Sequence, residues 1–230
     1  MINDKEENES KYKVEYLGEN HSKELLSYKV IILGLYGVGK TSIINKLMKK
    51  VADKEYSPTI SVDIKYFQVK VNDKIIQIQL WDCCGNDEFA LSTPNLLKNT
   101  TIAILVYAIN HEKSFKNLDQ WKNMLLNNSY DHEIFLIGNK ADLKEERKIE
   151  TQQGENYKKS YDYIIKTFFE TSAKNGDNID KLLENIAITI YEKNEKVEKL
   201  LENAIKGNGN KPQILDKEIH KKNKKKKKWC

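Results

Sequence analysis

Arginine is nearly missing from this chain. Arg147 is the one arginine among 39 basic residues, so a guanidinium, with its planar fork of donors, can come from a single loop only. Cysteine is scarce too: Cys83 and Cys84 are adjacent and Cys230 is last, a set that cannot form a disulfide framework and that implies a reducing, cytosolic setting. No apolar run approaches the ~20 residues of a membrane span. No signal peptide is visible, and Met1-Ile2 lacks the glycine that myristoylation needs. Even so, 39% hydrophobic content supports a real core, and 230 residues accommodate one domain of ordinary size plus tails. The net charge of +5 is owed largely to the C-terminal tail. The body is therefore near neutral, without the footprint of a nucleic-acid binder.

What is present is concentrated in a few short motifs. Gly34-Leu35-Tyr36-Gly37-Val38-Gly39-Lys40-Thr41-Ser42 contains the spacing G-x-x-x-x-G-K-[ST], in which glycines let backbone N–H groups curl around a phosphate chain. Lys40 is placed to reach the β and γ phosphates, and the Thr41 hydroxyl to ligate Mg²⁺. Val30-Ile31-Ile32-Leu33 reads as a buried strand before the loop. Thr41 to Lys50, with Ile43, Ile44 and Leu47 at helical spacing, reads as the helix after it, its positive end aimed at the phosphates.

Base identity comes from Asn139-Lys140-Ala141-Asp142, delivered by the strand-like run Phe135-Leu136-Ile137-Gly138. A carboxylate there accepts from the N1–H and 2-amino group of guanine. Adenine offers neither donor, so Asp142 selects GTP over ATP and argues against an ATP-using protein. Asn139 would tie neighbouring loops, and the Lys140 stem would lie along the ring. Ile76-Gln77-Ile78-Gln79-Leu80-Trp81 alternates like a strand and ends in Asp82-Cys83-Cys84-Gly85, a D-x-x-G phosphate sensor. Asp82 would hold Mg²⁺ through water, and the Gly85 N–H would meet the γ-phosphate. Thr59 is placed to add its hydroxyl to Mg²⁺ when that phosphate is present. In Glu170-Thr171-Ser172-Ala173-Lys174, residues Ser172, Ala173 and Lys174 would brace the base.

These elements, in this order, resemble the Ras superfamily of small GTPases, and within it most closely the Rab proteins. The Rab likeness rests on Ile104-Leu105-Val106-Tyr107, on Ser114-Phe115-Lys116-Asn117-Leu118-Asp119-Gln120-Trp121, and on Thr59-Ile60-Ser61-Val62-Asp63-Ile64. It spans residues 27 to 192. An Arf-like reading draws on Ser57-Pro58-Thr59-Ile60 and Asn86-Asp87, but Glu170 to Lys174 is of the Ras and Rab type. The resemblance implies a GDP/GTP switch in vesicle trafficking, working as a monomer. Its partners would be effectors, exchange factors and GTPase-activating proteins, all meeting the switch regions. It implies an α/β P-loop NTPase fold, with six mostly parallel strands and about five helices. Residues 62 to 70 are expected at its edge, antiparallel to 74 to 81.

Departures from the family pattern are as informative. Where relatives place the glutamine that orients the attacking water, this chain has Asn86, one methylene shorter; positioning errors of ~1 Å can cost ~10²-fold. Tyr36 stands where relatives carry a small residue, and either obstructs the γ-phosphate side or swings out to solvent. With Arg147 far from the phosphate loops, no arginine finger is available in cis. The expectation is a slow GTPase with Asn86, Lys40 and Thr59 in catalytic roles; the alternative is a GTP-locked, membrane-tethered scaffold. Ala52, where many relatives place an aromatic over the guanine, also allows fast spontaneous exchange. Leu96-Leu97-Lys98 replaces the aromatic pair of the Rab switch, so standard effectors and the family's escort protein need not bind normally. Cys83 and Cys84 read as small packing residues.

Three segments follow: a polar, flexible extension (1–26), the G domain (27–205) and a tail (206–230). An amphipathic helix is expected over 178 to 205. The tail carries seven lysines in Lys221 to Lys228, next to Trp229-Cys230. Each lysine near an anionic leaflet is worth ~1 kcal/mol, and a lipid on Cys230 would make a second membrane signal. A solvated charge run or a nuclear or RNA-binding segment are the competing readings. The expected site is peripheral, on the cytosolic face of an organelle or vesicle membrane.

Overall fold

The computed structural model describes residues 11–49, 62–85, 94–128 and 132–207, with side chains as far as 203. Two units are distinguished, residues 1–188 and 189–230. The first is built on a seven-stranded sheet in the order β1-β3-β4-β2-β5-β6-β7. Its strands are β1 (Val14–Gly18), β2 (Ser27–Leu33), β3 (Val62–Val71), β4 (Lys74–Cys83), β5 (Thr100–Ala108), β6 (Glu133–Asn139) and β7 (Ile165–Glu170). From β4 onward every pairing is parallel, whereas β1–β3 and β3–β4 are antiparallel. Parallel strands are covered on both faces and so read as unbroken apolar runs. Val30 to Leu33 in β2 and Ile102 to Ala108 in β5 are accordingly buried.

Five α-helices lie among the described residues: α1 (Lys40–Leu47), α2 (Glu112–Lys116), α3 (Leu118–Asn128), α4 (Thr151–Ser160) and α5 (Ile179–Gly207). Ile43, Ile44 and Leu47 are the buried face of α1, as the helical spacing predicts. Trp121 and Leu125 of α3 join Ile31, Leu33, Leu105 and Leu136 in one core cluster. Helix α5 begins in the first unit, where Leu182 and Ile186 are buried. Within the second unit, Val197 and Leu200 on the same helix are exposed.

The seventh strand corrects the sequence expectation of six, and it comes from the extension expected to be flexible. Val14 pairs with Val71 and Tyr16 with Val69, which makes β1, and not β3, the edge of the sheet. The Tyr16 ring packs 5.7 Å from that of Phe67, and its hydroxyl donates to Met48 O at 3.3 Å, just beyond the end of α1. Gln77, fully buried in β4, fastens the rest of the arm. Its Oε1 accepts from Ser22 N at 2.6 Å and from Gln68 Nε2 at 3.3 Å, and its Nε2 donates to Ser22 O at 3.1 Å. A buried amide with its capacity filled in this way locks a segment whose own apolar content is too small to hold it.

Candidate functional site

The phosphate loop leaves β2 at Gly34, where the backbone has φ 148° and a Cβ would stand 2.2 Å from Val106 O. Only glycine lets the chain cross β5 this closely. At Gly39 φ is 95°, and a Cβ would strike Asn139 Nδ2 at 2.4 Å. Helix α1 starts on that glycine with no side-chain cap, so its first N–H groups are the kind that accept an anion. Lys40 is 6% exposed and folds back along the loop, donating to Gly34 O at 2.9 Å and Leu35 O at 3.1 Å. Burial lowers its pKa, and the Asp82 carboxylate opposes that shift.

Thr41 Oγ1 donates to Asp82 Oδ2 at 2.6 Å, and Asp82 is 1% exposed. A hydroxyl and a carboxylate thus meet at the head of an uncapped helix, a donor set that fits a hard divalent cation beside a polyphosphate. The D-x-x-G end closes on the same loop: Tyr36 N donates to Gly85 O at 3.1 Å, and a Cβ on Gly85 would lie 2.2 Å from that nitrogen. Tyr36 is 55% exposed at the lip of the loop, and Ser42 is exposed on the first turn of α1. Cys83 and Cys84 are buried free thiols, and burial pushes Cys83 up to about 12.

On the far side, Asn139 joins three loops. Its Nδ2 donates to Val38 O at 2.8 Å, while its Oδ1 accepts from Thr171 Oγ1 and from Ala173 N, each at 3.2 Å. Lys140 adopts φ 67°, which turns the chain so that Ala141 N reaches Thr171 O at 2.9 Å. Asp142 Oδ1 accepts from Ser172 Oγ at 2.6 Å, and Ser172 Oγ in turn accepts from Asn175 N at 3.0 Å. Lys174 is exposed beside them. Gly34 to Thr41, Asp82, Gly85, Asn139 to Asp142 and Ser172 to Ala173 are therefore brought to the carboxyl ends of the strands. Ala52, Thr59, Asn86 and Cys230 lie outside the described residues.

Two residues that the motifs did not single out belong to the surroundings. Arg147 forks onto Glu170, Nη1 to Oε1 at 2.7 Å and Nη2 to Oε2 at 2.8 Å, and Nη1 also donates to Ile149 O at 2.9 Å. The chain's single guanidinium is spent on the residue that opens the Glu170 to Lys174 segment. Lys29, 8% exposed, heads the central strand with its ammonium 3.7 Å from the Trp81 ring centroid. The one visible signal for it is a charge placed directly before the apolar run Val30 to Leu33 within β2.

A mostly parallel sheet whose central strand feeds a glycine loop and a helix, with the base and phosphate motifs at the strand ends, is the fold of the P-loop GTPases. Residues 29–192 match the Ras family, and the chain belongs to that family. It is accordingly a small GTPase that binds guanine nucleotides and switches between GTP and GDP forms.

Proposed function

We propose that this chain is a Rab-like switch of vesicle trafficking whose intrinsic hydrolysis is slow. The Rab assignment is supported by Ile104 to Tyr107 and Ser114 to Trp121. In this reading Lys40 contacts the β and γ phosphates, Gly34 to Ser42 wrap them, and the Gly85 N–H marks the γ-phosphate. Asp142, aligned by Ser172, reads guanine, with Asn139, Lys140, Ala173 and Lys174 around the base. Thr41, Thr59 and, through water, Asp82 would hold Mg²⁺, whose charge would offset that of the β and γ phosphates.

The observation that carries the slow rate is Tyr36. Its backbone is bonded to Gly85 and its side chain is 55% exposed, so in this reading the ring turns inward over the γ-phosphate when nucleotide is bound, into the path of the attacking water and any incoming guanidinium. Asn86, next to Gly85, is one methylene short of the usual water-orienting amide, and Arg147 is already engaged by Glu170. Single-turnover hydrolysis with Mg²⁺ tests the reading. A rate well below the intrinsic Ras value of ~10⁻⁴ s⁻¹ supports it; a rate near that value or above it clears Tyr36 and Asn86 and refutes it. No turnover, with GTP retained, selects the GTP-locked scaffold, and Tyr36→Gly separates the two by restoring or failing to restore hydrolysis.

The Lys221 to Lys228 run, with Cys230 beside it as a thiol for prenylation, supports peripheral attachment to an anionic cytosolic membrane face. Binding to phosphatidylserine vesicles that survives high salt as well as low would refute a purely electrostatic contribution from these lysines. Exchange factors, activating proteins and effectors would meet the switch regions.

A further inference from the structure

A buried ammonium is a poor way to stabilise a core. Replacing buried charge by apolar groups of similar volume is often neutral or stabilising, so a lysine kept in such a place invites a functional account. Lys29 stands on the same face of β2 as Ile31 and Leu33, beside the cluster that contains Cys83, Leu96 and Leu97, with Trp81 packed against it. Its neighbours across the sheet are Gln79 and Thr100. The ammonium lies on the Trp81 ring at 3.7 Å from the centroid, donates to Leu96 O, and reaches Lys98 O at 3.4 Å. The Trp81 indole N–H is itself held, donating to Gln79 Oε1 at 3.3 Å. Thr100 Oγ1 donates to Leu97 O at 2.9 Å, so the residue between the two whose carbonyls meet Lys29 is itself held.

These contacts fall on the two flanks of one chain segment. Trp81 immediately precedes Asp82 and leads to Gly85, where the chain leaves the sheet. Leu96 and Lys98 lie where it returns, in the short turn Pro94–Leu97 and just after it. We propose that Lys29 is a positioning residue for the switch: one ammonium joins the strand that delivers Asp82 and Gly85 to the turn that brings the chain back. Its ammonium engages Trp81, Leu96 and Lys98, not the phosphate-side or base-side residues. It sets the span between two anchors, and so the placement of Gly85 against Tyr36. A single charge can do this where an apolar side chain cannot, because it engages a π face and two carbonyl oxygens at once.

The inference rests on the GTPase reading, and the test separates the two. Lys29→Met keeps the volume of the stem and removes the ammonium. Full-length wild type and Lys29→Met are loaded with GTP and followed by single-turnover hydrolysis, and by the change in tryptophan emission between GDP and a non-hydrolysable GTP analogue. The expected result is a folded variant with unimpaired urea resistance, hydrolysis slowed about tenfold or more, and a changed nucleotide-dependent emission. Lys29→Arg, which retains charge and donors, should recover part of both. A variant with wild-type turnover and wild-type emission change overturns the proposal, as does loss of turnover that tracks loss of stability. If the wild type itself does not turn GTP over, the slow-hydrolysis reading gives way to the GTP-locked scaffold, and the emission comparison alone decides for or against Lys29. Should Lys29→Met not fold, Trp81→Phe, which keeps a π face, is compared with Trp81→Leu, which removes it. Equal behaviour of those two overturns the proposal.

Discussion

Arg147→Ala tests how firmly the base-side loops are fixed. Both side chains of the Arg147–Glu170 pair are mostly buried, at 18% and 14% exposure, and the pair is bidentate at 2.7 and 2.8 Å. Charge-assisted hydrogen bonds contribute ~1.5–3 kcal/mol each before screening. Partial exposure lowers that, so losing the fork should cost about 2–3 kcal/mol, below the ~3–5 of a fully buried broken pair. In the variant, Glu170 keeps the Thr151 hydroxyl, which donates to its Oε1 at 3.0 Å. Lysine can reach one oxygen at a time, so Arg147→Lys should recover no more than about half. Glu170 also presents its carbonyl to Asn178 Nδ2 at 2.7 Å and leads directly into Thr171 and Ser172. If about 1 kcal/mol of the loss reaches those loops, GDP release speeds up about fivefold. Urea unfolding at a fixed saturating GDP concentration gives the stability change, since bound ligand shifts the curve, and displacement of a fluorescent GDP gives the release rate. A double-mutant cycle with Glu170→Gln should return a coupling of about 1–2 kcal/mol. A coupling below ~0.5 kcal/mol, with unchanged release, would refute the reasoning.

Four further outcomes are expected. Asp142→Ala removes two hydrogen bonds to a charged acceptor, so GTP affinity should fall by about 10²–10⁴-fold, while Ser172→Ala, which merely frees the carboxylate, should cost about 1 kcal/mol; calorimetric titration that ranks them the other way would contradict the Ser172–Asp142 contact. Gly85→Ala puts a carbon 2.2 Å from Tyr36 N, so it should weaken discrimination between GTP and GDP without unfolding the domain, as read by competition binding. Tyr16→Ala, which strips the ring from Phe67 and the hydroxyl from Met48 O, should lower unfolding free energy by about 1–2 kcal/mol, and an unchanged Tm would mean the edge strand contributes nothing. Lys29 is held down to about 8 from its ordinary 10.5 by burial, so above pH 8 the unfolded chain binds more protons and stability rises with pH; Cys83, raised from 9.0 to about 12, works the other way above pH 9. Between pH 8 and 9 wild type should therefore gain on Lys29→Met in urea midpoint, and a flat difference would sink the assignment.

Legibility in the sequence followed the range of the interaction. The strand–loop–helix around residues 27–47 and the strand running into Asp82 could be read because apolar runs and glycine spacing are local signals. So could the β6 segment that delivers Asn139. Strand β1 could not. Val14-Glu15-Tyr16-Leu17-Gly18 offers two inward side chains in a polar segment; its pairing comes from β3, and Gln77 holds Ser22 just after it, each dozens of residues away. Tertiary context overrides weak strand propensity in such cases. The Arg147–Glu170 fork and the burial of Lys29 are hidden for the same reason, since each depends on a chain return that no window of sequence contains. Leu96 and Leu97 were legible as departures from an aromatic pattern, but their burial beneath the central strand was not.

The polar anchors, of which the sequence showed Asn139 alone, share a form. Gln77, Lys29, Asn139 and Arg147 are each a polar or charged group at or near the sheet, and each holds a segment that has left it: the arm, the Pro94 turn, the phosphate loop, the base-side loop. Apolar packing is non-directional and would accept several placements of those segments, whereas a filled hydrogen-bond set accepts one. The stability of this domain therefore resides in β2, β5 and β6 and their helices, while four polar side chains fix the segments that leave the sheet. Substitutions at those four positions should then alter nucleotide kinetics more than their effect on unfolding would suggest. At Lys29, where removing the charge relieves a desolvation cost, the two effects should have opposite signs.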